Sequence, residues 1–209
     1  MKEKIILATN SPRRKELAKQ MGLDFEVIPS NYEEDMTMKL SPKELAKTLA
    51  YGKAKDVAKR HDGIIIGADT FVVFKGKKIG KPKSEQEAFK MLKSFSGKSH
   101  KVYTGIAIIN KKTGKEITDC EITTIKFRKM SDEEIKKYIK TGEPMDKAGA
   151  YAIQGLGSIF IEKINGCYHN IAGFPIHLTY KNLKKLGINI FEYDKWNLNN
   201  KSTGVIKWK

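Results

Sequence analysis

The segment Gly63-Ile64-Ile65-Ile66-Gly67-Ala68-Asp69-Thr70 constrains this chain more than any other. Consecutive β-branched isoleucines favour an extended backbone. The run shows no alternation, so neither face of the strand has polar side chains to give to water. It reads as a central strand covered on both sides, which calls for an α/β architecture with helices over the sheet.

The flanking sequence supplies those elements. Residues 4–8 form a short apolar strand, after which Ser11-Pro12 provides an N-cap and a proline for the first turn of a helix ending near Gly22. Residues 25–28 alternate as a second strand. Three Ser-x-x-Glu capping boxes, starting at Ser41, Ser84 and Ser131, each open a helix, the first running to about Arg60. Residues 71–74 and 77–79 flank Lys75-Gly76 as a hairpin. Residues 102–109 and 117–127 are further strands. The glycine-rich stretch 142–173 carries one short strand, predicted at 158–161, and residues 175–186 form a last helix stopped by Gly187. The expected fold is an elongated mixed β-sheet flanked by helices, with two lobes around a cleft. A single domain is expected over 1–190, followed by a polar Lys/Asn-rich tail over 191–209.

At 209 residues and 40% hydrophobic content, the chain can bury an adequate core without disulfides or metal. Its 2 cysteines, Cys120 and Cys167, exclude a disulfide scaffold and a four-cysteine zinc site. No apolar stretch approaches the ~20 residues of a membrane span, and the N-terminus lacks the pattern of a signal peptide, so a cytoplasmic location is expected. The net charge of +16 invites a polyanionic partner. The excess is almost all lysine, spread along the whole chain, which is the pattern of a solvated surface and not of a nucleic-acid footprint.

Ala8-Thr9-Asn10-Ser11-Pro12-Arg13-Arg14 passes from a strand through a turn into a helix N-terminus. Free N–H groups and the positive dipole end make that an anion site. Two cations in a first turn are unfavourable unless an anion is bound, and the pair is half of the chain's arginines. Guanidinium offers phosphate a bidentate fork that lysine lacks. Asp69 follows the most hydrophobic strand and should lie at its carboxyl end, where open α/β sheets bind ligands. A carboxylate there could hold Mg²⁺, activate water, or simply cap a turn. Lys53 falls in the middle of the apolar face formed by Leu45, Leu49, Ala50 and Val57, so it either snorkels to solvent or is aimed at an anion. Glu33-Glu34-Asp35, Lys81-Pro82, Asp146-Lys147 and Gln154 lie in loops and, taken singly, read as solvated residues. A phosphate-binding P-loop, a dinucleotide fingerprint and a histidine-based zinc motif are all absent.

In order along the chain come Ser11-Pro12-Arg13-Arg14, Glu33-Glu34, Lys53-Ala54-Lys55, Gly67-Ala68-Asp69-Thr70, Gly80-Lys81-Pro82 and Ser96-Gly97-Lys98-Ser99-His100. Then follow Glu143-Pro144-Met145-Asp146-Lys147-Ala148-Gly149-Ala150-Tyr151, Ile153-Gln154-Gly155 and Gly173-Phe174-Pro175. Together they resemble the Maf family, the septum-formation-associated nucleoside triphosphate pyrophosphatases, over about residues 4–188. Thr9, where Ser is commoner, and Phe174, where Leu is usual, are small departures.

The resemblance implies an inosine-triphosphatase-like fold and hydrolysis of a nucleoside triphosphate to monophosphate and pyrophosphate with a divalent metal, Mg²⁺ or Mn²⁺. It implies Asp69 as catalytic base, and Arg13, Thr70 and Gln154 as the trio of the dTTP/UTP subgroup, against a sister subgroup associated with 7-methyl-GTP. It further implies metal or phosphate roles for Glu34, Lys53, Lys81 and Lys147, with Glu34 and Asp69 on the metal and Ser11 and Arg14 at the substrate. A homodimer is expected from the same likeness. Two other classes stay open at the level of residues: a basic nucleic-acid-binding protein with a vestigial cleft, and a cell-division regulator that binds nucleotide without turnover.

Overall fold

The computed structural model describes residues 3–192. Its elements are β1 (Ile5–Ala8), α1 (Pro12–Gln20), β2 (Glu26–Val27), α2 (Pro42–Ala58), β3 (Ile64–Phe74), β4 (Lys77–Ile79), α3 (Glu85–Phe95), β5 (Ser99–Asn110), β6 (Glu116–Phe127), α4 (Asp132–Ile139), β7 (Ile161–Asn165), α5 (Tyr168–Ile171) and α6 (Ile176–Lys185). The strands form a 7-stranded mixed sheet in the order β2-β1-β3-β5-β6-β7, with β4 also paired to β3. β1 runs parallel to β2 and β3, and the other pairs are antiparallel.

The isoleucine run behaves as its pattern requires. Ile64 and Ile66 join Ile5, Leu7, Ile106 and Ile108 against Leu17 and Ala18 of α1 and Leu183 of α6. Ile65 points the other way, with Ile6, Ala107 and Ile109, onto Ala50, Ala54 and Val57 of α2. Further along β3, Phe71 and Val73 stay on the α2 side beneath Leu45, Ala46 and Leu49. Val72 and Phe74 pack instead with Val102, Ile125, Phe127 and the helices α3 and α4. One helix therefore covers one face along its length. The opposite face is covered by two separate helix groups, and β3 passes from one to the other near Thr70.

Two glycines let α2 lie this close. A Cβ on Gly67 would sit 2.4 Å from the Ala50 carbonyl oxygen, and one on Gly105 would sit 1.9 Å from that of Ala46. Strand pairing places Gly67 opposite Ala107, and Gly105 opposite Asp69.

Several local expectations are corrected. Residues 64–74 form one uninterrupted strand, so Asp69 is mid-strand and not at a strand end. The hairpin expected at Lys75-Gly76 is present, with Phe74 opposite Lys77 and both turn residues at positive φ. Residues 158–161 are not a strand: Leu156–Phe160 is a 3₁₀ helix, and β7 begins at Ile161. Only the box at Ser131 closes reciprocally with Glu134. Ser41 and Ser84 accept their expected N–H bonds, but Glu44 is taken by Lys47 and Glu87 by the Lys83 N–H. The tail expected over 191–209 lies almost wholly outside the described residues.

His100 is 2% exposed and stacked on Phe95, with its Nε2 2.9 Å from the Tyr151 hydroxyl. Nδ1 has no partner. Burial lowers the pKa of this ring to about 4 from 6.5. The unfolded chain therefore takes up the proton first as pH falls. His100's share of stability is complete above pH 6.5 and is lost between there and about pH 4. That share is on the order of 3 kcal/mol. Unfolding measured by urea at pH 7 and pH 4 should fall less steeply in His100→Phe than in the native chain, and equal slopes would refute this.

Candidate functional site

The floor of the site is a gap in the sheet. β1 stops pairing with β3 at Ala8–Gly67, and β4 starts at Val72–Ile79. Between them, residues 68–71 have a strand partner only on the β5 side. Because side chains alternate along a strand, Asp69 and Thr70 leave it on opposite faces. At an unpaired edge, both can reach the same cleft.

That cleft has a volume of about 300 Å³. It is lined by Ser11, Arg13, Arg14, Glu34, Lys53, Asp69, Thr70, Lys81, Lys147 and Gln154, which are all of the site residues singled out from the sequence. Ser11, Arg13 and Arg14 come from the start of α1, Lys53 from α2, and Lys81, Lys147 and Gln154 from loops on the far side.

Lys53 takes the second of its two expected roles, aimed at an anion in the cleft. Its ammonium lies 2.6 Å from Asp69 Oδ1 and 2.6 Å from Glu34 Oε1, with the side chain 13% exposed. The anions it meets are the protein's own carboxylates, one from a mid-strand position and one from a loop. Asp69 is 5% exposed. Its Oδ1 accepts from Lys53, while Oδ2 takes no hydrogen bond among the described residues.

Ser11 occupies the N-cap position of α1 with Pro12 in the first turn, but its side chain makes no cap bond. The hydroxyl and the first-turn N–H groups are therefore left to the cleft. Arg14 is pinned: Nε donates to the Gly173 carbonyl at 2.9 Å and Nη2 to Thr70 Oγ1 at 3.2 Å. Burial pulls its pKa below the ordinary guanidinium value, against the opposing pull of Asp69 and Glu34. Arg13 makes no hydrogen bond or ion pair within the described residues, nor does Lys81. Lys147 pairs with Asp146, whose carboxyl that hydrogen bond holds below the usual carboxylate range.

Asp146 also lines the cleft. Taken singly it reads as a solvated loop residue, and the signal that marks it is its place beside Lys147 in a matched segment. Val72, Val102, Tyr151, Ile153 and Ile171 form an apolar wall. Nothing local marks them, because an apolar residue reads as core wherever it occurs.

The loop bearing Gln154 is held by Glu143. Its carboxylate accepts from the Tyr138 hydroxyl at 2.7 Å and from the N–H groups of Leu156 and Gly157, both at 3.0 Å. Burial works against the charged form, but these bonds outweigh it and hold the pKa below the ordinary value. Its contribution is present above about pH 4.5 and lost as pH falls further. Glu143→Gln cannot accept on both arms and should cost about 2 kcal/mol, with a raised KM through Gln154. Urea unfolding and steady-state kinetics would check both, and an unchanged midpoint would exclude the clamp.

Among the described residues no group of three or more His, Cys, Asp or Glu could hold a metal unaided. Glu34 and Asp69, brought together on one ammonium, are nonetheless the donor set a hard divalent cation uses when phosphate oxygens and water complete its shell.

Fold and cleft together define a mixed-sheet α/β protein whose cleft interleaves cations with carboxylates beside an apolar wall, a site suited to a phosphorylated ligand with a flat apolar part. The chain belongs to the Maf-like protein family, whose model matches residues 4–186. A relative from Alkaliphilus oremlandii, named dTTP/UTP pyrophosphatase, is 53% identical over 176 residues, covering 83% of this chain and 91% of its own. One of the same name from Caldicellulosiruptor saccharolyticus is 46% identical over 195 residues, covering 91% and 98%. Another of that name from Thermococcus onnurineus is 48% identical over 186 residues, covering 89% and 99%. The solved Ham1 protein of Staphylococcus aureus is a distant likeness, with a TM-score of 0.43 at 16% identity over 60% of this chain and 72% of its own. No helix among the described residues is long and apolar enough to cross a membrane.

Proposed function

We propose that this chain hydrolyses dTTP and UTP to the nucleoside monophosphate and pyrophosphate. The observation that carries the reading is the convergence of Glu34, Lys53 and Asp69 with the cations of α1 and the facing loops on one cleft. The shared name of relatives that align over nearly their whole length supports the choice of substrate.

A triphosphate brings close to four negative charges, and phosphoryl transfer depends mainly on positioning and neutralising them. Arg13, Lys81 and Lys147, with the first-turn N–H groups of α1, bind the phosphates. Glu34 and Asp69 would hold Mg²⁺ or Mn²⁺ together with the substrate, where the cation would supply further charge neutralisation. Lys53 keeps the two carboxylates converged on one point. Attack by water at the α-phosphorus breaks its bond to the α,β-bridging oxygen and releases pyrophosphate. Asp69 Oδ2, free of other bonds, accepts the water proton. Thr70 and Gln154 read the nucleoside against the apolar wall.

Pyrophosphate release with Mg²⁺ across dTTP, UTP, CTP, ATP, GTP and 7-methyl-GTP tests the reading. Selective turnover of dTTP and UTP is expected. No release from either would sink it in favour of a nucleotide-binding regulator, and salt-dependent affinity for DNA or RNA would favour the nucleic-acid class. A cytoplasmic homodimer without nucleic-acid or membrane partner belongs to the same proposal, and sedimentation would check the mass.

A further inference from the structure

Thr70 sits on the cleft and Thr104 directly behind it. The two are cross-strand partners on β3 and β5, with their hydroxyl oxygens 2.9 Å apart. Thr104 is fully buried. Its oxygen lies 2.9 Å from the backbone carbonyl oxygen of Asn170. A carbonyl can only accept, so the single hydroxyl proton of Thr104 is committed to Asn170. The Thr70–Thr104 bond must then carry the proton of Thr70. The side of Thr70 toward Arg14 is fixed as well, because a guanidinium N–H can only donate, and it points at Thr70 Oγ1 from 3.2 Å. The order of donation is Arg14 to Thr70 to Thr104 to the Asn170 carbonyl.

We infer that Thr104 is a positioning residue that sets the polarity of Thr70, leaving it one free lone pair and no proton for the ligand. Thr70 therefore takes a hydrogen-bond donor and turns away acceptors. Ionised phosphate oxygens are acceptors only, so its ligand group belongs to the nucleoside. Within the substrate class proposed above, on which this inference rests, two donors qualify: the N3–H imide of thymine or uracil, and a sugar hydroxyl. Cytosine presents a bare acceptor at the same ring position, so the imide would separate the pyrimidines. A site built for a donor penalises its absence, because the acceptor is then left unpaired.

The test measures affinity, so it does not depend on turnover. The ligands are the α,β-imido analogue of dTTP, its cytosine counterpart, whose N3 is an acceptor, and its 3′-fluoro form, whose fluorine can only accept, each with Mg²⁺, followed by calorimetry. The native chain should bind the parent about tenfold tighter than one of the two modified forms, and which one is weakened identifies the donor. Thr104→Val frees the Thr70 proton, which can then be donated to the ligand's acceptor, and should bring that ratio close to one. Thr104→Ser keeps the hydroxyl and should restore it. Equal binding of all three ligands by the native chain would overturn the inference. So would a Thr104→Val variant that keeps the native ratio, since the weakened form would then be excluded by another contact and not by the polarity of Thr70. A native chain that shows the ratio but releases no pyrophosphate from dTTP would overturn the proposed activity and leave this inference standing.

Discussion

Asp69→Asn is expected to lower kcat/KM for dTTP and UTP by about a thousandfold while leaving the fold intact. The asparagine matches the carboxylate in shape, and its carbonyl oxygen can still accept from Lys53, which stays paired with Glu34 at 2.6 Å. What disappears is one negative charge and the free oxygen that can accept a proton or share a cation. The melting temperature should therefore move by no more than a few degrees. Pyrophosphate release and thermal unfolding on the same preparation separate the two effects. Near-native turnover would dismiss Asp69 from the chemistry. A collapse in melting temperature would mean that its charge serves the fold.

The largest expected loss of stability falls on a residue that touches no ligand. Gly105→Ala places a Cβ 1.9 Å from the Ala46 carbonyl oxygen and 2.8 Å from the Lys47 nitrogen, both backbone atoms of α2. The helix cannot rotate a side chain away to make room; it must lift from the sheet. Lifting it exposes Leu45, Leu49, Ala50, Ala54 and Val57, all fully buried. The expected cost is about 3 kcal/mol or more, or roughly 10 °C in melting temperature for a chain of this size. Activity should fall with it, because the same helix carries Lys53 to Asp69. Gly80→Ala, whose Cβ would meet nothing within 4 Å, serves as the control and should be nearly neutral. Comparable melting temperatures for the two variants would dismiss the close approach as a design constraint.

Gly67 and Gly105 also mark a limit of legibility. In the sequence each is a glycine in a strand, weakening it slightly by propensity. Their use, the approach of another backbone, depends on an element far away in sequence. Lys53 is similar. Helical periodicity shows it to be out of place on an apolar face, yet the residues that explain it, Glu34 and Asp69, arrive from a loop and a strand.

The sequence by itself determined most of the elements and the covered sheet, because hydrophobic period and caps act over a few residues. The matched segments, read together, also singled out the polar residues that line the cleft apart from Asp146. Only the tertiary structure decided how those residues meet. Asp69 and Thr70 are neighbours that a strand sends to opposite faces. They share a cleft because β1 ends and β4 begins on either side of them, leaving that edge of β3 open. The direction of the Thr70 hydroxyl is likewise set by Thr104 and Asn170, 34 and 66 residues apart along the relay. Hydrogen-bond polarity is a property of the assembled network, since a hydroxyl donates wherever its neighbours can only accept.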